Sequence, residues 1–227
     1  WSAMKLLVFS DTHLTTSFDL AKFNALKEHI SLADQVIING DYWDGYVVDF
    51  ERFVSSPWQQ LFPTLKEKQA IYIHGNHDRP EFADERVNLF SVDQKFEHRL
   101  KIGEIEYVFT HGHLLSAALD GGLHLSDKQV RSWLYRWSSM AFSWLEGLTI
   151  KLFGRAVLHF GGYHHRKMKR WVHSNLSEQQ YLVCGHSHTA EIDHQHRLLN
   201  PGTFNHGLVS CLWIDESGVT PVQSRYK

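Results

Sequence analysis

Five short apolar runs in this chain each end in a cluster of metal-ligand residue types, and that recurrence constrains the fold more than any other feature. The runs Lys5 to Ser10, Gln35 to Asn39, Ala70 to His74, Glu106 to Thr110 and Tyr181 to Cys184 are rich in Val, Ile, Leu, Tyr and Phe, as buried strands are. After them come Asp11-Thr12-His13, Gly40-Asp41, Gly75-Asn76-His77-Asp78, His111-Gly112-His113 and Gly185-His186-Ser187-His188. Layered α/β folds gather ligands beyond the carboxyl ends of their strands, so clusters spread along most of the chain can share one cleft.

The residue types narrow the chemistry. Carboxylate oxygen, amide oxygen and imidazole nitrogen suit borderline divalent ions such as Mn, Fe or Zn, and no cluster supplies a thiolate, which argues against a structural zinc site. Asp11, His13, Asp41, Asn76, His111, His186 and His188 exceed the needs of one tetrahedral ion but furnish two if a carboxylate bridges them. Two ions about 3.5 to 4 Å apart form a clamp for in-line displacement at phosphorus.

The order D-x-H, GD, GNH[DE], HG and GH-x-H resembles the calcineurin-like metallophosphoesterase superfamily, with the motifs spanning residues 11 to 188. The resemblance implies an α/β fold, a four-layered α/β/β/α sandwich. It also implies a hydrolase that uses two divalent ions, manganese first and iron or zinc as alternatives, to attack a phosphate ester or diphosphate with a metal-held hydroxide. Carried over position by position, Asp11, His13, Asp41 and His188 serve one ion, Asp41 bridges, and Asn76, His111 and His186 complete the other. His77 is implied to lie by the phosphate and assist the leaving oxygen, with Asp78 orienting its ring, since a carboxylate behind an imidazole fixes its tautomer. Asn76 is expected to touch substrate as well.

The remaining histidines of the 17 carry weaker expectations. His74 reads as a near-core residue and His113 as a loop residue or a donor behind the ligands. Asp44, completing Gly-Asp-x-x-Asp, reads equally as an orienting or a capping carboxylate. His164, His165, His194, His196 and His206 read as surface residues.

At 227 residues and 43% hydrophobic content the chain suits a single domain, residues 1–227, with a sizeable core. A net charge of −2 gives no global attraction to nucleic acid, so nucleic acid is not an expected partner. Cys184 and Cys211 read as small buried residues, and neither a spanning segment nor a signal peptide is apparent. A cytoplasmic location is expected, with Met4 read as the natural start. Leu20, Phe23, Leu26 and Ile30 mark a crossover helix, and Val54 to Glu67 a second. Strands are expected again at Arg197 to Asn200 and Leu208 to Asp215, around a Pro201-Gly202 turn.

The stretch from about 114 to 180 departs from this plan and reads as a helical cap insertion. Val130, Trp133, Leu134, Trp137, Met140, Ala141, Trp144, Leu145 and Leu148 follow helical spacing, Ser126-Asp127 can cap the start, and the other side carries Arg131, Arg136, Ser132, Ser138 and Ser139. The expected arrangement is an apolar stripe packed on the domain; the alternative is a stripe that lines a substrate groove or meets a membrane or partner. Gly147 to Ser177 holds six cationic residues, Lys151, Arg155, Arg166, Lys167, Lys169 and Arg170, and no Asp or Glu. Arg166, Lys167, Lys169 and Arg170 are read as contacts for an anionic, partly greasy substrate or for lipid headgroups.

The insertion resembles, loosely, the cap of the UDP-2,3-diacylglucosamine pyrophosphatase branch, which carries Arg where this chain has His77. A small-molecule or lipid-linked phosphate is therefore the expected partner, with contact peripheral to the membrane. A cyclic-nucleotide phosphodiesterase or nuclease is the alternative enzyme. A non-catalytic scaffold of the same fold should have lost ligands, and all seven are present.

Overall fold

The computed structural model describes residues 4–115 and 132–226, and the expected capping pair Ser126-Asp127, with Val130 and Arg131, lies outside them. Two sheets form the centre. The first has the order β11-β10-β1-β2-β3-β4, comprising β1 (Leu6–Phe9), β2 (Gln35–Asn39), β3 (Ile71–Ile73), β4 (Asp93–Lys95), β10 (Leu208–Asp215) and β11 (Gly218–Arg225). The second runs β5-β6-β7-β9-β8, from β5 (Glu97–Ile102), β6 (Ile105–Thr110), β7 (Gln180–Val183), β8 (Glu191–Asp193) and β9 (Leu198–Asn200). Strands β1, β2, β3 and β4 pair in parallel, as do β6, β7 and β9.

Strand alternation assigns the layers. Leu6 and Val8 of β1, Ile37 of β2 and Ile73 of β3 face Phe109, Val183 and Leu199 of the other sheet, making the inter-sheet core. Leu7, Phe9, Val36 and Ile38 point the other way, onto Phe23, Leu26 and Ile30 of α1 (Leu20–Leu32) and onto the aromatic cluster around Trp58, Phe53 and Phe62. Helix α1 starts on Asp19, whose carboxylate accepts from the backbone N–H of Ala21 and Lys22. The second expected helix breaks into α2 (Phe50–Val54), a 3₁₀ turn at Pro57–Leu61 and α3 (Phe62–Glu67), because Pro57 and Pro63 can sit only in the first turn of a helix.

The expected insertion divides into two parts with different roles. Helix α4 (Trp133–Phe153) lies over the carboxyl ends of the strands, whereas α5 (Gly162–Asn175) packs Met168, Val172 and nearby Leu176 on Val108, Leu182 and Leu198 of the second sheet. Helix α5 is thus the outer fourth layer of the sandwich and not part of a cap. Lys167 is buried at that layer, 4.3 Å above the Tyr163 ring, which corrects its reading as an open substrate contact.

The apolar stripe of α4 is also corrected. Trp133, Leu134, Trp137, Trp144, Leu145 and Leu152 are 51–73% exposed, and only Ile150 of the helix is buried. Its serine face turns inward over the cleft. Leaving six large apolar side chains in water forgoes on the order of 10 kcal/mol of burial, so packing on the domain does not explain the stripe.

Candidate metal centre

The floor of the cleft is made by the loops after β1, β2, β3, β6 and β7, and Asn39 joins the two sheets there. Its amide donates to the carbonyls of Thr110 and Val183, at 3.3 and 3.2 Å, drawing the carboxyl ends of β2, β6 and β7 together. Five of the seven expected ligands hold a left-handed backbone: Asp11 (φ 52°), His13 (43°), Asp41 (52°), His186 (68°) and His188 (57°). Such conformations cost L-residues energy and persist only where the surroundings impose them. Close packing does so here. A Cβ on Gly75 would fall 2.1 Å from Asp41 Oδ1, and one on Gly40, itself at φ 88°, would fall 2.3 Å from His111 Nδ1.

These loops bring all seven residues together in two sets. Asp11, His13 and His188 converge, as do Asp41, His111 and His186, and a third group, His13, Asp41 and His77, overlaps both. His13 Nε2 and His188 Nε2 face each other at 3.1 Å, with Asp11 Oδ1 3.5 Å from His188 Nε2. On the other side His111 Nε2 lies 3.2 Å from Asp41 Oδ2 and 3.2 Å from Asn76 Oδ1. Asp41 Oδ2 is also 3.8 Å from His13 Nε2, so this carboxylate stands between the sets.

Outer hydrogen bonds orient the donors. His111 Nδ1 donates to the Asn39 carbonyl at 2.9 Å, which leaves Nε2 toward the cleft. Asp41 Oδ1 accepts from the His77 N–H at 2.9 Å, and the Asp11 carboxylate accepts from Ser10 Oγ at 2.5 Å and the His186 N–H at 3.2 Å.

The electrostatics are those of buried carboxylates packed among imidazoles. Burial works against charge on His111, but the Asp41 and Asp11 carboxylates hold its pKa up at about 10. Burial likewise opposes a proton on His188, and Glu146 and Asp11 raise it to about 9. His13, buried and beside His77, falls to about 3, and burial with neighbouring His111 puts His186 well below its ordinary range. Paired carboxylates thus draw protons onto the imidazoles facing them, while other imidazoles stay neutral with free lone pairs. Oxygen and nitrogen donors in this arrangement fit two divalent ions.

His77 lies at the edge of the site, its ring 4.5 Å from the His13 ring and 4.1 Å from that of Tyr46. The carboxylate that orients it is Asp44, whose Oδ1 is 2.9 Å from His77 Nδ1. Asp78, expected in that role, instead turns inward. Its Oδ2 accepts from the Tyr42 N–H at 2.7 Å and its Oδ1 from the Gly75 N–H at 2.6 Å, so it pins two ligand loops together. Those buried amides have to be paired, and the neighbouring side chain supplies the acceptors. His74 is buried with Nδ1 on the Asp78 carbonyl at 3.0 Å, and the His113 ring packs at a tilt 5.5 Å from that of His111.

Over the floor lies a cleft of about 510 Å³, walled by Tyr46, Asn76, His164 and Asn205 and roofed by Tyr135, Ser138, Ser139, Phe142, Ser143 and Glu146 of α4. Asn76 and His77 thus face it, but Arg166, Lys167, Lys169 and Arg170 do not line it. Lys169 is taken up by Glu191 and Asp193, both at 2.6 Å, and Arg166 and Arg170 are exposed on a separate basic surface with His173 and Arg197.

Three histidines read as surface residues belong to the site's surroundings. His164 meets the His186 ring edge-on at 5.4 Å, buried His165 bonds Ser187 Oγ at 2.6 Å, and His206 pairs with Glu146 at 3.2 Å. His194 and His196 are exposed as expected. Glu146 was not singled out in the sequence; the available signal is that it is the only acidic residue between Asp127 and Glu178.

A calcineurin-like phosphoesterase profile matches residues 4–190. No curated protein matches the chain. Among solved structures, a novel archaeal phosphodiesterase is 17% identical with a TM-score of 0.50, covering 97% of this chain and 100% of its own. The E. coli phosphoesterase Yfce is 16% identical, also at 0.50, over 99% of this chain and 100% of its own. Vacuolar protein sorting 29 from Cryptosporidium parvum is 12% identical at 0.47, over 99% and 98%. The two likenesses at 0.50 concern the fold alone; the profile, matched across the ligand motifs, carries the family and with it the hydrolysis of phosphate esters. The chain therefore belongs to the calcineurin-like phosphoesterase family.

Proposed function

We propose that the protein hydrolyses a phosphate ester or diphosphate carried on an apolar tail, working against a membrane surface. The observation that carries this reading is the orientation of α4: Ser138, Ser139, Ser143 and Glu146 look onto the cleft, while Trp133, Leu134 and Trp137 look out. Trp at the edge of an apolar stripe suits the membrane–water interface. Among the described residues no helix is long and apolar enough to cross a membrane, so the contact proposed is peripheral. Lys151 beside Trp144 and Leu148 on the same helix favours anionic headgroups.

Two divalent ions, manganese being our first choice and iron or zinc the alternatives, supply Lewis acidity toward a phosphoryl oxygen and activate water. Asp11, His13, Asp41 and His188 would hold one and Asp41, Asn76, His111 and His186 the other. The chain's own groups do the rest. Asp44 keeps the His77 Nδ1–H directed at itself, leaving Nε2 to exchange a proton at the leaving oxygen. Asn76 and the α4 serines offer donors to phosphate oxygens, and α4 shields the cleft from bulk water.

Among the described residues no Lys or Arg lines the cleft and Lys151 alone lines the adjoining hollow beside His13, which leaves a long polyanion without a track and disfavours the nuclease reading. The test is manganese-dependent hydrolysis of p-nitrophenyl phosphate, bis-p-nitrophenyl phosphate, and a UDP-linked lipid in anionic vesicles. Faster turnover of the vesicle-borne diphosphate supports the proposal. Equal rates with and without the tail, or preference for cyclic nucleotides, overturn it.

A further inference from the structure

The loop that carries His186 and His188 is stitched to the overlying segments at four points. Glu146 Oε1 of α4 meets His188 Nδ1 at 2.6 Å, and its Oε2 meets His206 Nε2 at 3.2 Å. Thr189 Oγ1 donates to the Leu158 carbonyl in the 3₁₀ segment after α4. From α5, His165 Nε2 bonds Ser187 Oγ at 2.6 Å, with Glu191 paired to its other nitrogen, and the His164 ring packs on that of His186.

The Glu146 contact differs from the others because it is a hydrogen bond to a ring nitrogen of a metal ligand. A carboxylate accepting from Nδ1–H of His188 fixes the tautomer in which Nε2 carries the lone pair, and that atom faces His13 and Asp11. The same carboxylate anchors a helix that has little else. Ile150 is its only buried residue, Tyr135 packs edge-on at 5.1 Å against Tyr46, and Gly147 lies so close that a Cβ would come 2.8 Å from His206 Nδ1. With most of its apolar surface in water, α4 is seated chiefly at the metal centre.

We propose that Glu146 is a positioning residue that couples ion binding at the Asp11–His13–His188 set to the seating of α4 over the cleft. An ion there holds His188 in the orientation and tautomer that Glu146 grips, and Glu146 holds His188 ready for the ion. Linkage makes the effect reciprocal: whatever factor the seated helix adds to ion affinity, the ion adds to seating. The proposal rests on the two-ion reading of the cleft. It adds that the roof of the active site is assembled by loading its floor.

The test uses the full chain, stripped with chelator and titrated with manganese by equilibrium dialysis, with amide hydrogen exchange of residues 133–153 read at each loading. The unsubstituted protein is expected to bind two ions and to gain protection in α4 as it does so. Glu146→Ala is expected to weaken one of the two sites by about 10- to 100-fold, the range for removing a carboxylate behind a ligating histidine. Its α4 protection should no longer respond to manganese. Glu146→Gln, which keeps an acceptor oxygen without the charge, should recover part of both effects. In the zinc-loaded protein, imidazole ¹⁵N shifts should show His188 protonated at Nδ1 in the parent and mixed in Glu146→Ala. If Glu146→Ala binds both ions as the parent does and keeps its metal-dependent protection, the coupling is refuted. An unsubstituted protein that binds no manganese refutes the two-ion reading itself.

Discussion

The floor and the roof of the cleft are held by opposite means. The ligand loops are buried, strained into left-handed backbone and locked by hydrogen bonds that Asn39 and Ser10 donate and Asp78 accepts. Helix α4 is half in solvent and joined through one carboxylate, one buried isoleucine and an aromatic edge. Strain is tolerated where two sheets over-determine the backbone, and precise placement of ion ligands needs that rigidity. A weakly seated roof can instead adapt to a bulky substrate. The chemistry therefore belongs to the floor, and the choice of substrate to the roof.

Substitutions can break that division. The largest effect is expected from Asp41→Ala, which removes the carboxylate shared by both sets: bound manganese, measured by atomic emission, should fall and turnover should drop to background. His77→Ala should keep both ions and lower kcat by roughly 10²- to 10⁴-fold, as for loss of a positioned proton donor; unchanged turnover would remove His77 from the chemistry. The two nearby carboxylates should then separate cleanly. Asp44→Asn should reduce kcat by about tenfold through a misoriented His77, whereas Asp78→Ala should cost roughly 2 to 3 kcal/mol in denaturant unfolding by orphaning buried amides.

The roof should answer to a different assay. Trp133→Ser with Trp137→Ser should weaken sedimentation with anionic vesicles several-fold and leave hydrolysis of soluble p-nitrophenyl esters unchanged. Loss of soluble-ester turnover would place those side chains in the floor's machinery instead. The smallest effect concerns pH. A hydrogen bond from His165, outweighing burial, and the Lys169 ion pair hold Glu191 down at about 2, against an ordinary value of 4.5. A depressed folded pKa adds stability above the ordinary value that is lost as pH falls through the folded one. Glu191→Gln should therefore lower the melting temperature near pH 6 and converge with the parent near pH 2.

Much of the floor was legible in the sequence because its signals are local: a strand-like run and then a ligand, five times over. Asp78 shows the limit of that logic. Its place beside His77 in the chain suggested a partnership, but consecutive side chains diverge, and the partner, Asp44, comes from another loop. The periodicity of α4 was equally legible, yet a helical stripe does not say whether it faces core or solvent. Nor did charge along α5 distinguish an open basic face from a layer in which Lys167 is buried and Lys169 is paired. Glu146, His165 and His206 were invisible for the same reason, since their roles depend on which distant loops the fold brings to them.

Crystals soaked in manganese, with data collected at its absorption edge, test the central claim most directly. Two anomalous peaks about 3.5 to 4 Å apart are expected, one among Asp11, His13 and His188, the other among Asn76, His111 and His186, with Asp41 between them. A map with no peak in this cleft, or a single peak that leaves either set unengaged, would contradict a shared two-ion floor.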